Sequence, residues 1–124
     1  MDTHTLLWWL DGDEHLSLVA RRWIETDEHR ILISAASAWE IATKVRIGKL
    51  PGAQAVAANF HACVINQGFT PLDITVDHAL RAGSLPGPHR DPFDRMLIAQ
   101  AQALNIPLIS NEHLFDHYGI QRIW

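Results

Sequence analysis

The sequence has little cysteine, no long apolar run and no excess of positive charge. Its one cysteine, Cys63, excludes an internal disulfide and is typical of a reducing cytosol, where we expect the protein to reside. The longest apolar run, 6–10, is far shorter than the ~20 residues of a membrane span, so we expect no membrane contact. Ten Lys and Arg against fourteen Asp and Glu give a net charge of −4, which argues against a protein that coats nucleic-acid phosphates. Any contact with nucleic acid must be confined to a local site.

What the sequence does contain is the composition of an ordinary globular protein. Hydrophobic residues make up 48% of the 124 residues and charged residues 19%, which argues against disorder and against a coiled coil. A chain of this length can bury about two-thirds of its unfolded surface. We therefore predict a single domain over residues 1–124.

Helical and strand patterns alternate along the chain. Apolar spacing, caps and breakers predict helices over 4–10, 17–26, 35–47, 53–67, 76–83, 92–104 and 113–117, and strands over 31–33, 69–73, 107–109 and 120–124. This alternation predicts an α/β fold with a central parallel sheet and helices on both faces. Pro71 favours an edge position for the second strand. Ligands of such sheets bind beyond the carboxyl ends of the strands.

Acidic side chains occupy that position. Five acids come from four separate segments of the chain: Asp2, Glu40, Asp91, Asp94 and Glu112. Converging like charges are destabilising unless they are protonated or bridged by a cation. Mg²⁺ or Mn²⁺ is the usual bridge, because hard cations take oxygen ligands. An ion held by carboxylates that also binds phosphate oxygens hydrolyses phosphodiester bonds, so the pattern predicts a metal-dependent nuclease.

Glu40 also has a purely structural interpretation. Ser37 and Glu40 have the spacing of a capping box, in which the glutamate folds back on the start of its helix. A helix that starts at Ser34 would instead leave Glu40 inside it and free for another role. The sequence leaves both interpretations open.

The other acids have structural interpretations as well. Asp91 fits a helix N-cap, with Pro92 at the first helical position and Asp94 near the positive end of the helix dipole. Glu112 alone fits a solvated turn, and Asp2 alone fits a frayed terminus. Their joint occurrence is more informative than any single member.

Tryptophan and histidine residues are interpreted more simply. Trp8, Trp9 and Trp39 are interpreted as core or interface aromatics rather than as parts of the chemistry. His113 and His117 have the i, i+4 spacing of a helical metal pair, but no H-E-x-x-H pattern accompanies them. We interpret both histidines as surface residues.

Four segments together resemble the PIN domain and, more narrowly, the VapC-type toxins of bacterial and archaeal toxin–antitoxin pairs. They are DTHTLLWW at 2–9, ISAASAWEI at 33–41, HRDPFDR at 89–95 and LISNE at 108–112. The resemblance runs over nearly the whole chain, with the motifs in family order and at family spacing.

The resemblance implies a ribonuclease that depends on Mg²⁺ or Mn²⁺, is restrained by a cognate antitoxin protein and forms a homodimer in the cytoplasm. It also implies a three-layer α/β sandwich around a parallel sheet of four to five strands. Carried over by motif, Asp2, Glu40 and Asp94 would hold the metal ion. Asp91 would be an additional acid near the site and Glu112 a further catalytic acid.

The chain departs from the family pattern at two places. Glu112 stands where the family usually has an aspartate, and the extra methylene moves its carboxylate outward. Only Met1 precedes Asp2, and because a strand rises ~3.3 Å per residue, one residue cannot cross a sheet. We therefore expect a first strand that is truncated or missing, or a natural start upstream, and disorder or exchange around Asp2.

The hypothesis assigns substrate contacts beside the acids. Arg90 and Arg95 are the expected phosphate partners, because a guanidinium binds phosphate in a bidentate manner. Ser110 or Thr3 would bond a ligand carboxylate or a phosphate oxygen. Lys44, one turn after the second acid, is interpreted as an exposed i, i+4 pair. Single-stranded RNA is the expected substrate, because a narrow acidic cleft requires an unpaired strand.

Two alternatives remain open. The chain could be a catalytically impaired module of the same fold that only binds its antitoxin. It could also be a nuclease of RNA processing that has no antitoxin.

Overall fold

A computed structural model describes residues 1–124 of the chain. It contains seven α-helices, one 3-10 helix and four short strands. The α-helices are α1 (Thr3–Asp11), α2 (Leu18–Glu25), α3 (Ala35–Arg46), α4 (Gln54–Ala58), α5 (Phe60–Asn66), α6 (Val76–Ser84) and α7 (Pro92–Leu104). The strands are β1 (Leu32–Ser34), β2 (Thr70–Leu72), β3 (Leu108–Ile109) and β4 (Arg122–Ile123), and the 3-10 helix spans His113–Tyr118.

The strands form two separate parallel pairs. β1 pairs with β2, and β3 pairs with β4, both in parallel. The predicted α/β class with parallel strands is confirmed, as is the edge position of Pro71, because β2 has one partner only. The pairs do not join into the one sheet of four to five strands that we predicted. An apolar cavity of about 250 Å³, lined by residues of β1 and β3, lies where they would meet.

The first two residues bridge the two pairs of strands. The main-chain nitrogen of Met1 donates to the carbonyl of Leu32 at 3.1 Å, and that of Asp2 donates to the carbonyl of Ile109 at 3.0 Å. Both residues are buried. The structure therefore contradicts the expected disorder around Asp2, because hydrogen bonds hold its main chain. Met1 and Asp2 lie beside β1 and β3 without forming a strand of their own.

The segment predicted as one helix over 53–67 is two helices. Asn59 has non-helical dihedral angles, φ −131° and ψ 35°, and separates α4 from α5. Its main-chain N–H and its side-chain amide both donate to the carbonyl of Ala55, at 3.1 and 3.3 Å. The other predicted helices and strands are present, with shifts of a few residues at their ends.

Two clusters of buried apolar side chains form the core. The larger contains Leu6, Ile33 and Ile41, and the smaller contains Ile98 and Phe115. Both α1 and α7 pack against α3, which brings the first turns of α1 and α7 beside the middle of α3. None of the helices combines the length and the apolar character needed to cross a membrane.

Candidate active site

The five predicted acids line one pocket of about 310 Å³, which we call the acidic pocket. Its walls come from the first turn of α1, the middle of α3, the first turn of α7 and the segment after β3. The lining residues are Asp2, His4, Trp8, Glu40, Lys44, Asp91, Asp94, Asn111 and Glu112. The parallel fold thus gathers acids from four separate segments, as the sequence predicts.

Asp2 is held from both sides of its carboxylate. It is the N-cap of α1, where its Oδ1 accepts from the main-chain N–H of Thr5 at 2.9 Å. The hydroxyl of Ser110 donates to Oδ2 and accepts from the N–H of Glu112 at 2.9 Å. Ser110 therefore bonds a predicted ligand carboxylate. Asp2 is only 7% exposed, so these contacts orient its charge inside the protein.

The side chain of Thr3 lies elsewhere. Its hydroxyl donates to the hydroxyl of Ser37 at 3.0 Å, and both residues are buried. Thr3 does not line the acidic pocket. The predicted substrate contact of Thr3 is therefore wrong, because its only side-chain donor holds α1 against α3.

Glu40 has no capping role. α3 begins after Ser34, whose hydroxyl accepts from the N–H of Ala36 at 3.0 Å, so the capping box of Ser37 and Glu40 does not form. Glu40 lies inside the helix and is 3% exposed. Its carboxylate pairs with the ammonium group of Lys44 one turn later. The predicted i, i+4 pair of Lys44 is therefore confirmed, but it is not exposed, because Lys44 is only 24% exposed and lines the pocket.

Asp91 caps the helix and Asp94 does not, a difference in role that the sequence alone could not show. Oδ1 of Asp91 caps α7 by accepting from the N–H groups of Phe93 at 2.9 Å and Asp94 at 3.0 Å. The carboxylate of Asp94 accepts no main-chain hydrogen bond. Since the helix start is already capped, Asp94 is free for chemistry in the pocket.

His89 is a site residue that sequence reasoning missed. Its Nε2 lies 2.9 Å from Oδ2 of Asp94 but is not aligned for a hydrogen bond. Its Nδ1 accepts from the N–H of Asp91 at 3.4 Å, an arrangement that leaves the ring proton on Nε2. The ring is only 9% exposed. The buried ring therefore lies against the carboxylate of Asp94, just outside the residues that line the pocket.

The pocket carries negative charge that its own residues do not balance. The pKa of Asp94 is raised to about 7, first by burial and then by the charges of Asp91, Glu40, Asp2 and Glu112. The lining includes one cationic side chain, Lys44, which is already paired with Glu40. A hard divalent cation relieves such repulsion, so the donor set fits Mg²⁺ or Mn²⁺.

The acids share a pocket but do not form a ready-made metal cage. No three of the His, Cys, Asp and Glu side chains are placed so that they could hold an ion together. Mg²⁺ keeps several of its waters and is usually bound through one or two carboxylates. A pocket of about 310 Å³ leaves room for such waters, so it suits that mode of binding better than a closed set of protein ligands would.

The raised pKa of Asp94 makes the stability of the metal-free protein depend on pH. An ordinary aspartate has a pKa of about 4, so between pH 4 and 7 the folded chain binds a proton that the unfolded chain releases. The free energy of unfolding should therefore fall as pH rises through this window, with the penalty absent below it and complete above it. A pKa raised by about three corresponds to about 4 kcal/mol of unfolding free energy. Because solvent screens this carboxylate in part, we expect an effect of about 2 kcal/mol.

Urea denaturation in a metal chelator, at pH 5 and pH 8, measures this effect. The comparison is with Asp94→Asn, which keeps all other titrating groups. The difference in unfolding free energy between the two proteins should shift by about 1.3 kcal/mol between the two pH values, because pH 5 already lies one unit inside the window. Parallel pH profiles would show that Asp94 has an ordinary pKa.

Glu112 lines the pocket while also serving as a cap. Its Oε1 accepts from the N–H of Leu114 at 3.1 Å at the start of the 3-10 helix. Asn111 also lines the pocket, as do His4 and Trp8 of α1. The sequence signal for His4 and Trp8 was their i, i+4 spacing just after Asp2, which places both on one face of α1. Trp8 therefore lines the pocket as well as packing against the larger core cluster, so its interpretation as a core or interface aromatic is incomplete.

Arg95 is not available to a phosphate. Its guanidinium donates to the carbonyls of Ala82 at 3.1 Å, His89 at 3.0 Å and Leu85, and it does not line the pocket. The predicted substrate contact of Arg95 is therefore wrong, because its donors hold the loop between α6 and α7. Arg90 is exposed and also lies outside the lining.

The remaining aromatic and histidine predictions have mixed outcomes. His113 is 85% exposed, and His117 is exposed as well, as predicted for surface residues. Trp9 bonds Gln67 through its indole N–H at 2.9 Å and packs against the larger core cluster. Trp39 is not a core residue, because it is 55% exposed.

The family model described as PIN domain matches residues 1–121. No curated protein matches the chain.

Proposed function

The chain belongs to the PIN domain family, whose members are generally nucleases, and from this we propose that it is a metal-dependent endoribonuclease. The observation that carries the proposal is the convergence of five acids from four separate segments on one pocket. Burial and the neighbouring carboxylates raise the pKa of Asp94 to about 7, which reflects a concentration of charge that a structural role alone does not require.

We propose that Asp2, Glu40 and Asp94 hold Mg²⁺ or Mn²⁺, directly or through waters. When bound, such an ion lowers the pKa of a coordinated water and polarises a phosphoryl oxygen. Asp91 has one carboxylate oxygen committed to its cap and a second that accepts no hydrogen bond within the chain. Asp91 and Glu112 would position the attacking water or a second ion.

The substrate we propose is single-stranded RNA. The acidic pocket lies between two helix starts and α3, and a phosphodiester enters such a pocket most easily from a strand without a pairing partner. Arg90 is exposed, two residues from Pro92 at the start of α7, and stays the proposed phosphate partner. Ser110 holds the Asp2 carboxylate in place rather than the substrate.

We also propose that the protein is the toxin of a toxin–antitoxin pair, restrained by a cognate antitoxin protein and active as a homodimer in the cytoplasm. The support is the resemblance of the four motifs to VapC-type toxins together with the PIN match over nearly the whole chain. Growth arrest on expression of the chain, reversed by Asp94→Asn, would distinguish an active toxin from a catalytically impaired module that only binds its antitoxin. A small reading frame upstream that overlaps this one would distinguish a toxin from a nuclease of RNA processing.

The direct test of the nuclease function is an RNA cleavage assay with the purified chain. Single-stranded RNA should be cut internally in Mg²⁺ or Mn²⁺, and a chelator should stop the reaction. A duplex of the same sequence serves as the control and should be cut far more slowly. A folded chain that leaves single-stranded RNA intact with either ion would instead be the binding module that only engages its antitoxin.

A further inference from the structure

A group of aromatic rings lies at the edge of the acidic pocket and has no role in the mechanism above. It consists of His4, Trp8 and His15, which we call the aromatic rim. His4 and Trp8 lie one turn apart on α1 and both line the pocket. Asp2 caps the same helix, so the rim and a proposed metal ligand belong to one rigid element.

The rings of the rim contact one another in defined geometries. The ring of His15 lies almost parallel to that of Trp8, with 5.3 Å between centroids and 19° between planes. His4 meets Trp8 edge-on at 6.0 Å, and Trp124 packs against it at 5.8 Å with a tilt of 54°. Trp8 is thus held by three rings, and His15 covers one of its faces.

His15 is fixed although it is exposed. Its Nδ1 lies 2.6 Å from Oδ1 of Asp13, and its main-chain N–H donates to the same oxygen at 2.8 Å. The N–H of Asp13 in turn donates to the carbonyl of Trp8 at 2.9 Å. The side chain of His15 is nevertheless 73% exposed. One ring face lies on Trp8, and the other faces solvent.

The ring of His15 is therefore ordered although it is exposed. An exposed side chain loses conformational entropy when it is ordered, and a single surface contact contributes little free energy to offset that loss. An aromatic ring that is held rigid with one open face is a preformed stacking platform. Unpaired nucleobases bind to such platforms, because every base has a π-face.

We propose that the open face of His15, backed by Trp8, stacks an unpaired nucleobase of the RNA whose phosphodiester enters the acidic pocket. This inference rests on the proposed function. It assigns the rim a substrate-binding role without preference for one base, because stacking does not read base edges. The rim would then select single-stranded over paired RNA, since paired bases are already stacked.

A fluorescent RNA tests the proposal without requiring cleavage. The probe is a single-stranded RNA octamer that contains 2-aminopurine, a base whose fluorescence is quenched when it stacks. Binding is measured in Ca²⁺, a hard cation that replaces Mg²⁺, and a gel confirms that the RNA stays intact. The wild-type chain should quench the probe.

The variants separate stacking from other contributions of the imidazole. His15→Ala should weaken binding about tenfold and lose the quenching, as stacked aromatics do when truncated. His15→Phe should retain most of both, because it keeps the ring. The control is His61→Ala, which removes an exposed histidine of α5 and should change nothing.

The outcomes distinguish this inference from the nuclease proposal. A chain that does not bind the probe, or a His15→Ala variant that binds and quenches like wild type, would overturn the stacking role. An equal loss of RNA affinity and of quenching in His15→Ala and His15→Phe would also overturn the stacking role. Normal cleavage by His15→Ala in that case would leave the nuclease proposal intact. Binding through His15 without cleavage in either Mg²⁺ or Mn²⁺ would support the platform and refute the nuclease.

Discussion

Asp94→Asn should abolish the metal-dependent cleavage of RNA while leaving the protein at least as stable as wild type at pH 8. Asparagine keeps the shape of the side chain and removes the charge that a divalent ion requires. Metal stabilisation of a phosphoryl-transfer transition state is worth several kcal/mol, so we expect a loss of about 100-fold or more. Stability should not fall, because Asp91 caps α7 and Asp94 carries an unrelieved charge.

The measurements are initial cleavage rates and thermal unfolding of the same preparations. Asp77→Asn is the matched control, because Asp77 also lies in the first turn of a helix but is paired with Arg81 on the exposed face of α6. It should cleave RNA at the wild-type rate. If Asp94→Asn stayed active, or if it unfolded, Asp94 would be a structural residue and the metal site would need other ligands.

Arg95→Ala should lower the free energy of unfolding by about 3 kcal/mol, whereas Arg90→Ala should change it by less than about 0.5 kcal/mol. The Arg95 guanidinium donates to three carbonyls, those of Ala82, Leu85 and His89. Hydrogen bonds from a charged donor are worth about 1.5–3 kcal/mol each, and part of this is recovered when water reaches the carbonyls. Arg90 is exposed and should behave as a surface residue.

Urea denaturation of the two variants, with RNA affinity measured alongside, separates the two arginines. Arg95→Lys should recover only part of the stability, because an ammonium group lacks the planar fork that reaches three carbonyls. Arg90→Ala should weaken RNA binding without affecting folding. A stable Arg95→Ala protein with reduced RNA affinity would restore the phosphate role that the sequence alone predicts for Arg95.

His89 connects these two predictions. Its carbonyl accepts from Arg95, and its ring Nε2 lies 2.9 Å from the carboxylate of Asp94. Arg95 therefore holds the backbone that places His89 beside the proposed metal ligand. Loss of Arg95 would disturb the acidic pocket indirectly, through the loop between α6 and α7, rather than through a lost contact to RNA.

The sequence by itself determined the order of the elements and the set of acids. Helix starts such as Asp91–Pro92 are local, because a cap bonds N–H groups two or three residues away. The alternation of helices with parallel strands implies that the segments after the strands lie at the same edge of the sheet. Asp2, Glu40 and Glu112 could therefore be assigned to one site without coordinates. The motifs in the same segments carried the resemblance to the PIN domain, which the family match bears out.

Only the tertiary structure decided which side chain performs which task. Arg90 and Arg95 are equivalent in the sequence, but contacts over six to thirteen residues commit Arg95 to the backbone. His15 gains its stacking partner from across the turn at Gly12, and the bridge of Asp2 to Ile109 joins residues far apart in the chain. Local propensity depends on neighbours within about one helical turn, whereas these contacts depend on how whole elements pack. No pattern of residues along the chain contains that information.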